Sequence, residues 1–475
     1  MAILHNLSLT CLLGLLGLIH HSDAFSPGLL PKCLKTGVPD TPSSSSSCRS
    51  NQKRKTQRPL HATPTTTNAN NNNNKAEPRS GFAQQLLNLA LASPIWTYVM
   101  VPQARATMVK TAEENGIPWM AAKEWLRSQE DAPWSDNNNS ENDDRHATVE
   151  YPDYYKKSFH AYSDGNLSYD AAFEQELASR AVGARNFPTY SDEGEDVFRG
   201  AFDRALSKLG AGSGIRTNEK NRNQEEEEIL IVDFGCGTGT STRRLAKQYS
   251  DPNMKFVGID LSPYFVDVGR TLLKLAPSAM TMDNNGNSQQ QQQQQQHEGW
   301  ITAIDADPRI QLHQGNIAST TIPSNSASIV NLVFVLHELP LRAAKEIIVE
   351  AHRILKPDGG QLWICEMDFE SPAYAAQREN ALLFSLLRAT EPYLDEYADG
   401  MEEIREFIVG MFDGGVKITA ATGRHYSLVA QKGGGVAEGG GGGQRASLED
   451  SRFLEDGSYA IEDTHLKPWE SKQDE

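Results

Sequence analysis

The stretch Ile229-Leu230-Ile231-Val232-Asp233-Phe234-Gly235-Cys236-Gly237-Thr238-Gly239-Thr240-Ser241-Thr242 organises the chain. Its leading apolar residues are too few for a helix and rich in β-branching, which predicts a short buried strand. Asp233 closes that strand and a glycine-rich turn follows. Thr240, Ser241 or Thr242 can cap the next helix, whose body is Arg243 to Tyr249. A strand, a glycine turn and a helix N-terminus make a nucleotide-type cradle at the carboxyl edge of a parallel sheet. Glycine suits the cradle because no Cβ holds the backbone away from a ligand.

Charge and spacing narrow the ligand. A dinucleotide brings a pyrophosphate to the helix N-terminus. Asp233, two residues before Gly235, would repel it and suits a cation, such as the ammonium or sulfonium end of S-adenosyl-L-methionine. The glycines are spaced Gly-x-Gly-x-Gly, not Gly-x-Gly-x-x-Gly. A second strand, Lys255 to Ile259, ends in Asp260, an acid able to accept hydrogen bonds from both ribose hydroxyls. With Val232-Asp233-Phe234-Gly235-Cys236-Gly237-Thr238-Gly239, then Gly258-Ile259-Asp260-Leu261-Ser262-Pro263, then Leu355-Lys356-Pro357-Asp358-Gly359-Gly360, the sequence resembles the class I S-adenosylmethionine-dependent methyltransferases. The resemblance implies a Rossmann-like α/β sheet, mostly parallel, of seven strands with the last antiparallel. It implies S-adenosyl-L-methionine as cofactor, held by Asp233, Gly235, Cys236, Gly237, Thr238, Gly239, Asp260, Leu261, Asn316, Ile317 and Leu336. The glycine turn alone would also fit a dinucleotide dehydrogenase or a non-binding sheet protein; the three motifs in order favour the methyltransferase.

The full chain carries a formal net charge of −17. The segment before Gly81 is basic, so the remainder holds 36 basic residues against 59 acidic ones. Such a body disfavours nucleic acid as a partner, because phosphate affinity comes from basic patches. Of the five cysteines, Cys11, Cys33 and Cys48 lie in the leader, leaving Cys236 and Cys365 and no disulfide framework. No Cys/His cluster suggests a metal.

Leu7 to Ile19 is a mostly apolar run too short to span a bilayer and well sized for a signal-peptide core. Ser22-Asp23-Ala24 offers small residues where a signal peptidase reads, giving a signal peptide over 1–24. Residues 25–80 are Ser/Thr/Asn-rich, basic and nearly free of acids, as in a disordered transit peptide. With Phe25 at the junction, the whole resembles the bipartite plastid presequence of algae with complex plastids. The alternative is the secretory pathway, with a disordered linker after cleavage.

Residues 81–228 read as an N-terminal helical extension and cap. Phe82 to Met100 is helical up to a break at Pro94, and the uncharged 86–101 would either make a peripheral membrane contact or pack within the protein. Arg105 to Arg127 is helical with a turn at Gly116-Ile117-Pro118, and Asp131 to Asp144 is a polar linker. Tyr151-Pro152-Asp153-Tyr154-Tyr155 opens an aromatic stretch running through Phe159-His160-Ala161-Tyr162, which would line a pocket or fill a core. A helix from Ser168 to Val182 keeps Glu174 and Glu176 outside, and Gly194 to Leu209 is a further helix. The resemblance implies that such a segment folds over the cofactor and shapes the acceptor pocket.

The methyltransferase domain spans 229–432. Its helix Tyr264 to Leu275 is followed by an insertion, 276–299, whose glutamine run predicts disorder. Strand Ile310 to Gln314 leads to Asn316, where the family usually has an acid for the adenine amino group; asparagine can accept that bond through its carbonyl oxygen. Ile329 to Leu336 reads as a central strand delivering His337 and Glu338 to the carboxyl edge. Helix Arg342 to Leu355, a fifth strand from Gln361 to Cys365 ending at Glu366, and helix Tyr374 to Arg388 follow. Val416 to Thr419 and Tyr426 to Gln431 form the closing antiparallel pair, and 433–475 is a disordered acidic tail. The stretch from Tyr151 to Gln431 is also similar to a plastid-predicted plant and algal subgroup, through Phe334-Val335-Leu336-His337-Glu338 and Thr390-Glu391-Pro392-Tyr393-Leu394-Asp395-Glu396-Tyr397 among others.

The expected function is methyl transfer to oxygen or carbon of a small-molecule plastid acceptor. The rivals are a protein methyltransferase, which needs an open groove, and a non-catalytic cofactor-binding assembly factor. His337 and Glu338 are the candidate catalytic residues: the imidazole either as a general base or packed against the adenine with no proton transfer, the carboxylate as its orienter or as a charge at a helix N-terminus.

Overall fold

The computed structural model describes residues 101–135, 149–160, 162–213, 228–275, 307–379, 384, 390–433 and 447–460. All described residues lie in one compact unit, within Ala76–Glu475. The leader, residues 82–100 and the insertion at 276–299 fall outside them. No helix among the described residues is long and apolar enough to cross a membrane.

The sheet has strands β1 (Ile229–Phe234), β2 (Met254–Asp260), β3 (Ile310–Gln314), β4 (Ala327–Val333), β5 (Gly360–Met367), β6 (Val416–Thr422), β7 (His425–Lys432) and β8 (Leu448–Asp450). Their order is β3-β2-β1-β4-β5-β7-β6-β8, and β7 alone runs against its neighbours. β1, β4 and β5 are buried on both faces, which is why they read as unbroken apolar runs. The expected doubly wound sheet with an antiparallel seventh strand is what forms.

The eighth strand is a correction. Residues 433–475 were expected to be disordered throughout, yet Leu448–Asp450 pairs in parallel with Val416–Ile418. What anchors it is Arg452, almost wholly buried, which bonds Asp450 and Asp368, while the Tyr459 hydroxyl donates to Asp368 Oδ2 at 2.6 Å. Composition gave the segment no core, but a buried ion pair supplies its attachment.

Helices α1 (Val101–Glu114) and α2 (Trp119–Arg127) meet at Gly116, whose φ of 82° permits the turn. The expected polar linker begins later than Asp131, because Trp134 packs on Tyr169 and Phe173 and donates to the Leu126 carbonyl. Helix α3 (Tyr169–Asn186) starts on Ser168, whose side chain accepts from the Ala171 amide, and helix α4 (Gly194–Lys208) crosses it closely at Gly183 and Gly194. Glu174 and Glu176, expected outside, are buried on α3. Each is charge-paired: Glu174 with Lys123 at 2.6 Å and with Arg105, and Glu176 with Arg243 at 2.6 Å. Helices α5 (Thr240–Gln248), α6 (Pro263–Leu275), α7 (Leu341–Ile354), α8 (Pro372–Glu379) and α9 (Leu394–Met411) complete the described set.

The β4 strand stops sooner than expected. Phe334 adopts φ 57°, a left-handed conformation, and Leu336–Glu338 form a 3-10 turn. A non-glycine residue held there is strained and persists only where its surroundings over-determine it. Its amide donates to the Cys365 carbonyl at 3.0 Å, and its ring packs on Phe198 and Phe202.

Candidate functional site

β1 delivers the chain into a turn in which Gly235, Gly237 and Gly239 all have positive φ. A Cβ on Gly235 would stand 2.6 Å from the Val335 side chain, so the turn also requires glycine for space. The Gly237 amide donates to Asp260 Oδ2 and the Ser262 amide to Oδ1, each at 2.8 Å. The acid at the end of β2 is thereby locked to the glycine turn, as its expected ribose role requires. Burial pushes its carboxyl up to about 6 against those bonds, leaving it ionised at neutral pH with acceptor capacity to spare.

Asp233 does not stand open at the mouth. It is 1% exposed and accepts from Ser241 and Thr242 on Oδ2, both at 2.6 Å, and from Asn331 on Oδ1 at 2.8 Å. This also corrects the cap: the residue before α5 is Gly239, no side chain caps it, and the two hydroxyls point back to Asp233. Asp233 therefore fixes the turn to β1 and β4 from beneath. Asn316 departs too, since its side-chain oxygen accepts from the Ala318 amide at 2.9 Å in a local turn, leaving the amide NH2 for a ligand. Cys236, Thr238, Leu261, Ile317 and Leu336 are all buried around the turn. Burial raises the Cys236 thiol well above its ordinary value, so it packs and does not react.

The N-terminal segment covers this edge. From α3, Gln175 Oε1 accepts the Thr238 amide at 2.6 Å, and Glu176 accepts the Thr238 hydroxyl and the Arg243 guanidinium. A Cβ on Gly237 would lie 2.0 Å from the Gln175 amide nitrogen. Arg243 outweighs the effect of burial and holds the Glu176 carboxyl below its usual range. The aromatic stretch lies beside the acid of β2: the Tyr155 hydroxyl is 3.4 Å from Asp260 Oδ1, Tyr151 stacks on Tyr155, and Gln314 donates to Tyr151 at 3.1 Å. Tyr154 meets Tyr393 edge-on. Phe159 alone of this group is buried outright.

His337, the expected base, is tied to a buried carboxylate. His337 Nδ1 lies 2.8 Å from Oε1 of Glu366, whose side chain is fully buried. Burial opposes the imidazolium, but Glu366, then Glu391 and Glu338, outweigh it and lift the histidine to about 10. The carboxylates favour the imidazolium, the form in which the ring has no lone pair to take a proton. Glu366 also accepts from the amides of Leu336, His337 and Met367, at 3.0, 3.4 and 2.7 Å. It ties the end of β5 to the turn after β4. Glu338 behaves differently: burial pushes its carboxyl up to about 7, while His160 and His337 pull it down.

Sequence reasoning brought the glycine turn, Asp260, His337 and Glu338 to one edge. It missed Glu366 as the hub, Gln175 and Glu176 on the turn, and the meeting of His160 with Glu391. An acid closing an otherwise buried strand was the available signal for Glu366. Among the described residues no cluster could hold a metal ion.

A methyltransferase domain model matches residues 232–363. None of the curated proteins matches the chain. A putative S-adenosyl-L-methionine-dependent methyltransferase from Methanococcus maripaludis is 13% identical, covering 57% of this chain and 96% of its own, with a TM-score of 0.33. A SAM-dependent methyltransferase from Aquifex aeolicus is 14% identical over 50% of this chain and 98% of its own, with a TM-score of 0.28. Phosphoethanolamine N-methyltransferase 2 of Haemonchus contortus, in complex with S-adenosyl-L-methionine, is 13% identical over 57% of this chain and 61% of its own, with a TM-score of 0.31.

Proposed function

We propose that the protein is an S-adenosyl-L-methionine-dependent methyltransferase acting on oxygen or carbon of a small plastid metabolite. The observation that carries this reading is Asp260, locked by the Gly237 and Ser262 amides and left with acceptor capacity for a ribose diol. The methyltransferase match over the same motifs supports it. When bound, the cofactor supplies an electrophilic methyl group on a sulfonium. The chain's own part is positioning. Asp260 would hold the ribose hydroxyls, and the turn from Gly235 to Gly239 would take the backbone approach. The stretch from Tyr151 to Tyr162 would exclude water and press the acceptor toward the methyl group. Such a covering would favour a small acceptor over a protein, which needs an open groove. A non-catalytic assembly factor is the remaining rival, and product formation with any acceptor excludes it.

Asp260→Ala removes the ribose contacts to a charged acceptor and should weaken cofactor binding by roughly 1.5–3 kcal/mol. Calorimetry with S-adenosyl-L-methionine and with NAD tests the reading. NAD binding, or full affinity in the variant, overturns it.

The plastid location rests on the leader and on the similarity to the plastid-predicted subgroup. Cleavage after Ala24 would present Phe25 for import. A fluorescent protein fused to residues 1–80 should enter the plastid of such an alga, and Phe25→Ala should divert it to the secretory route. Unchanged import of the variant refutes the part given to Phe25.

A further inference from the structure

Side chains from three separate parts of the chain converge just past β4. His160 Nε2 lies 3.0 Å from Glu391 Oε1 and 3.8 Å from Glu338 Oε1. His160 keeps φ at 50°, left-handed for a non-glycine residue, and its amide is held by the Thr390 carbonyl at 3.0 Å. Strain of this kind survives where the surroundings force it, and it gathers at working sites. Among the described residues nothing hydrogen-bonds the buried Glu391 Oε2, an acceptor left with nothing to accept. Exposure falls inward along the row, from 45% for the His160 side chain to 26% for Glu338 and 12% for Glu391. The outer two are open to a ligand, and the innermost is not.

The charges of the cluster do not cancel. Among the described residues Glu338, Glu366 and Glu391 pair with two imidazoles, His160 and His337. With both imidazoles charged, one carboxylate is in excess. Among the described residues the titratable groups that act most on Glu338 are His160, His337, Glu391 and Asp260, with Tyr155 nearby. His337 is committed to Glu366, and His160 is closest to Glu391. Glu338 is thus the carboxylate whose imidazole neighbour is farthest, at 3.8 Å, and the most exposed of the three.

Resting on the methyltransferase reading above, we propose that Glu338 receives the acceptor's proton, that His160 bridging to Glu391 positions and tunes it, and that the acceptor presents a hydroxyl or an acidic C–H. The acceptor's O–H or C–H bond breaks with its proton passing to the Glu338 carboxylate. The freed pair forms the bond to the methyl carbon, and the methyl–sulfur pair stays on sulfur. The proton then leaves Glu338 for solvent on the exposed side of His160. Glu338 touches the acceptor and is catalytic; His160 acts through it and is a positioning residue.

Proton counting tests this without a known acceptor. A sulfonium arriving beside Glu338 should expel its proton. Calorimetry of S-adenosyl-L-methionine binding to the full chain at pH 7, in buffers of different ionisation enthalpy, counts the protons released. The wild type should release about half a proton, as a group titrating near that pH must. Glu338→Gln should release almost none while still binding. His160→Asn removes the imidazole whose charged form pulls Glu338 down, so the pH of half-maximal release should move up, and His160→Lys should bring it back. A merely structural histidine would leave that midpoint in place, and the midpoint carries the test if Glu338→Gln fails to fold. Binding without proton release, or equal release by Glu338→Gln, overturns the proposal. Absence of binding by the wild type overturns the methyltransferase reading, and this inference with it.

Discussion

Glu366→Leu lowers the stability of the folded chain by about 3–5 kcal/mol, the loss expected when one partner of a buried ion pair is removed. The variant strands the His337 imidazolium and leaves three amides, those of Leu336, His337 and Met367, without their carboxylate. The pH dependence identifies the pair. His337 titrates near 10 in the fold, above the ordinary 6.5 it recovers on unfolding. Its contribution is therefore complete below pH 6.5 and is lost as pH rises through about 10. Urea unfolding of wild type and variant across that window measures it. The difference between them should be largest at the acid end and should shrink above neutrality. A loss under about 1 kcal/mol, or a difference that does not change with pH, would mean that the pair contributes little.

Arg452→Met should cost a similar amount, about 3–5 kcal/mol, because Asp368 is left as a buried carboxylate without its cation. Tyr459 and the Glu370 amide still donate to Asp368, so the deficit is one of charge more than of hydrogen bonds. The companion Asp368→Leu discriminates: combined with Arg452→Met it replaces an ionic contact by an apolar one and should recover most of the loss. Denaturant midpoints of the single and double variants measure the coupling. If the double variant is as unstable as the single, Arg452 acts through Asp450 and Glu370 and not through Asp368.

The sheet was legible because its strands carry their instructions locally. Ile229 to Val232 and Ile329 to Leu332 are apolar at every position but Asn331, which only a doubly covered parallel strand explains. The glycine turn was legible for the same reason, since positive φ and close packing leave glycine as the answer in any context. What stayed hidden depends on partners far away in sequence. Glu174 and Glu176 look external on a helical wheel, because periodicity knows nothing of Arg105 or Arg243. His337 was put at the right edge, but its charge depends on Glu366, 29 residues on. Asp233 looked like a ligand group because nothing local reveals that Asn331 waits on the next strand. β8 was invisible, for Leu448, Glu449 and Asp450 are all exposed and have no apolar pattern.

That last strand has a bearing on how copies of the chain meet. Without it β6 would end the sheet, and its outer row of amides and carbonyls would be a template for a strand from another molecule. Val416 already donates to Ser447, and Ile418 accepts from Ser451, so this stretch of the row is spoken for. The new border is three residues long and carries Glu449 and Asp450, and a short charged strand is a poor surface for further pairing. The buried arginine behind it thus guards the solubility of the chain as much as its stability: whatever loosens Arg452 uncovers an edge that invites self-association.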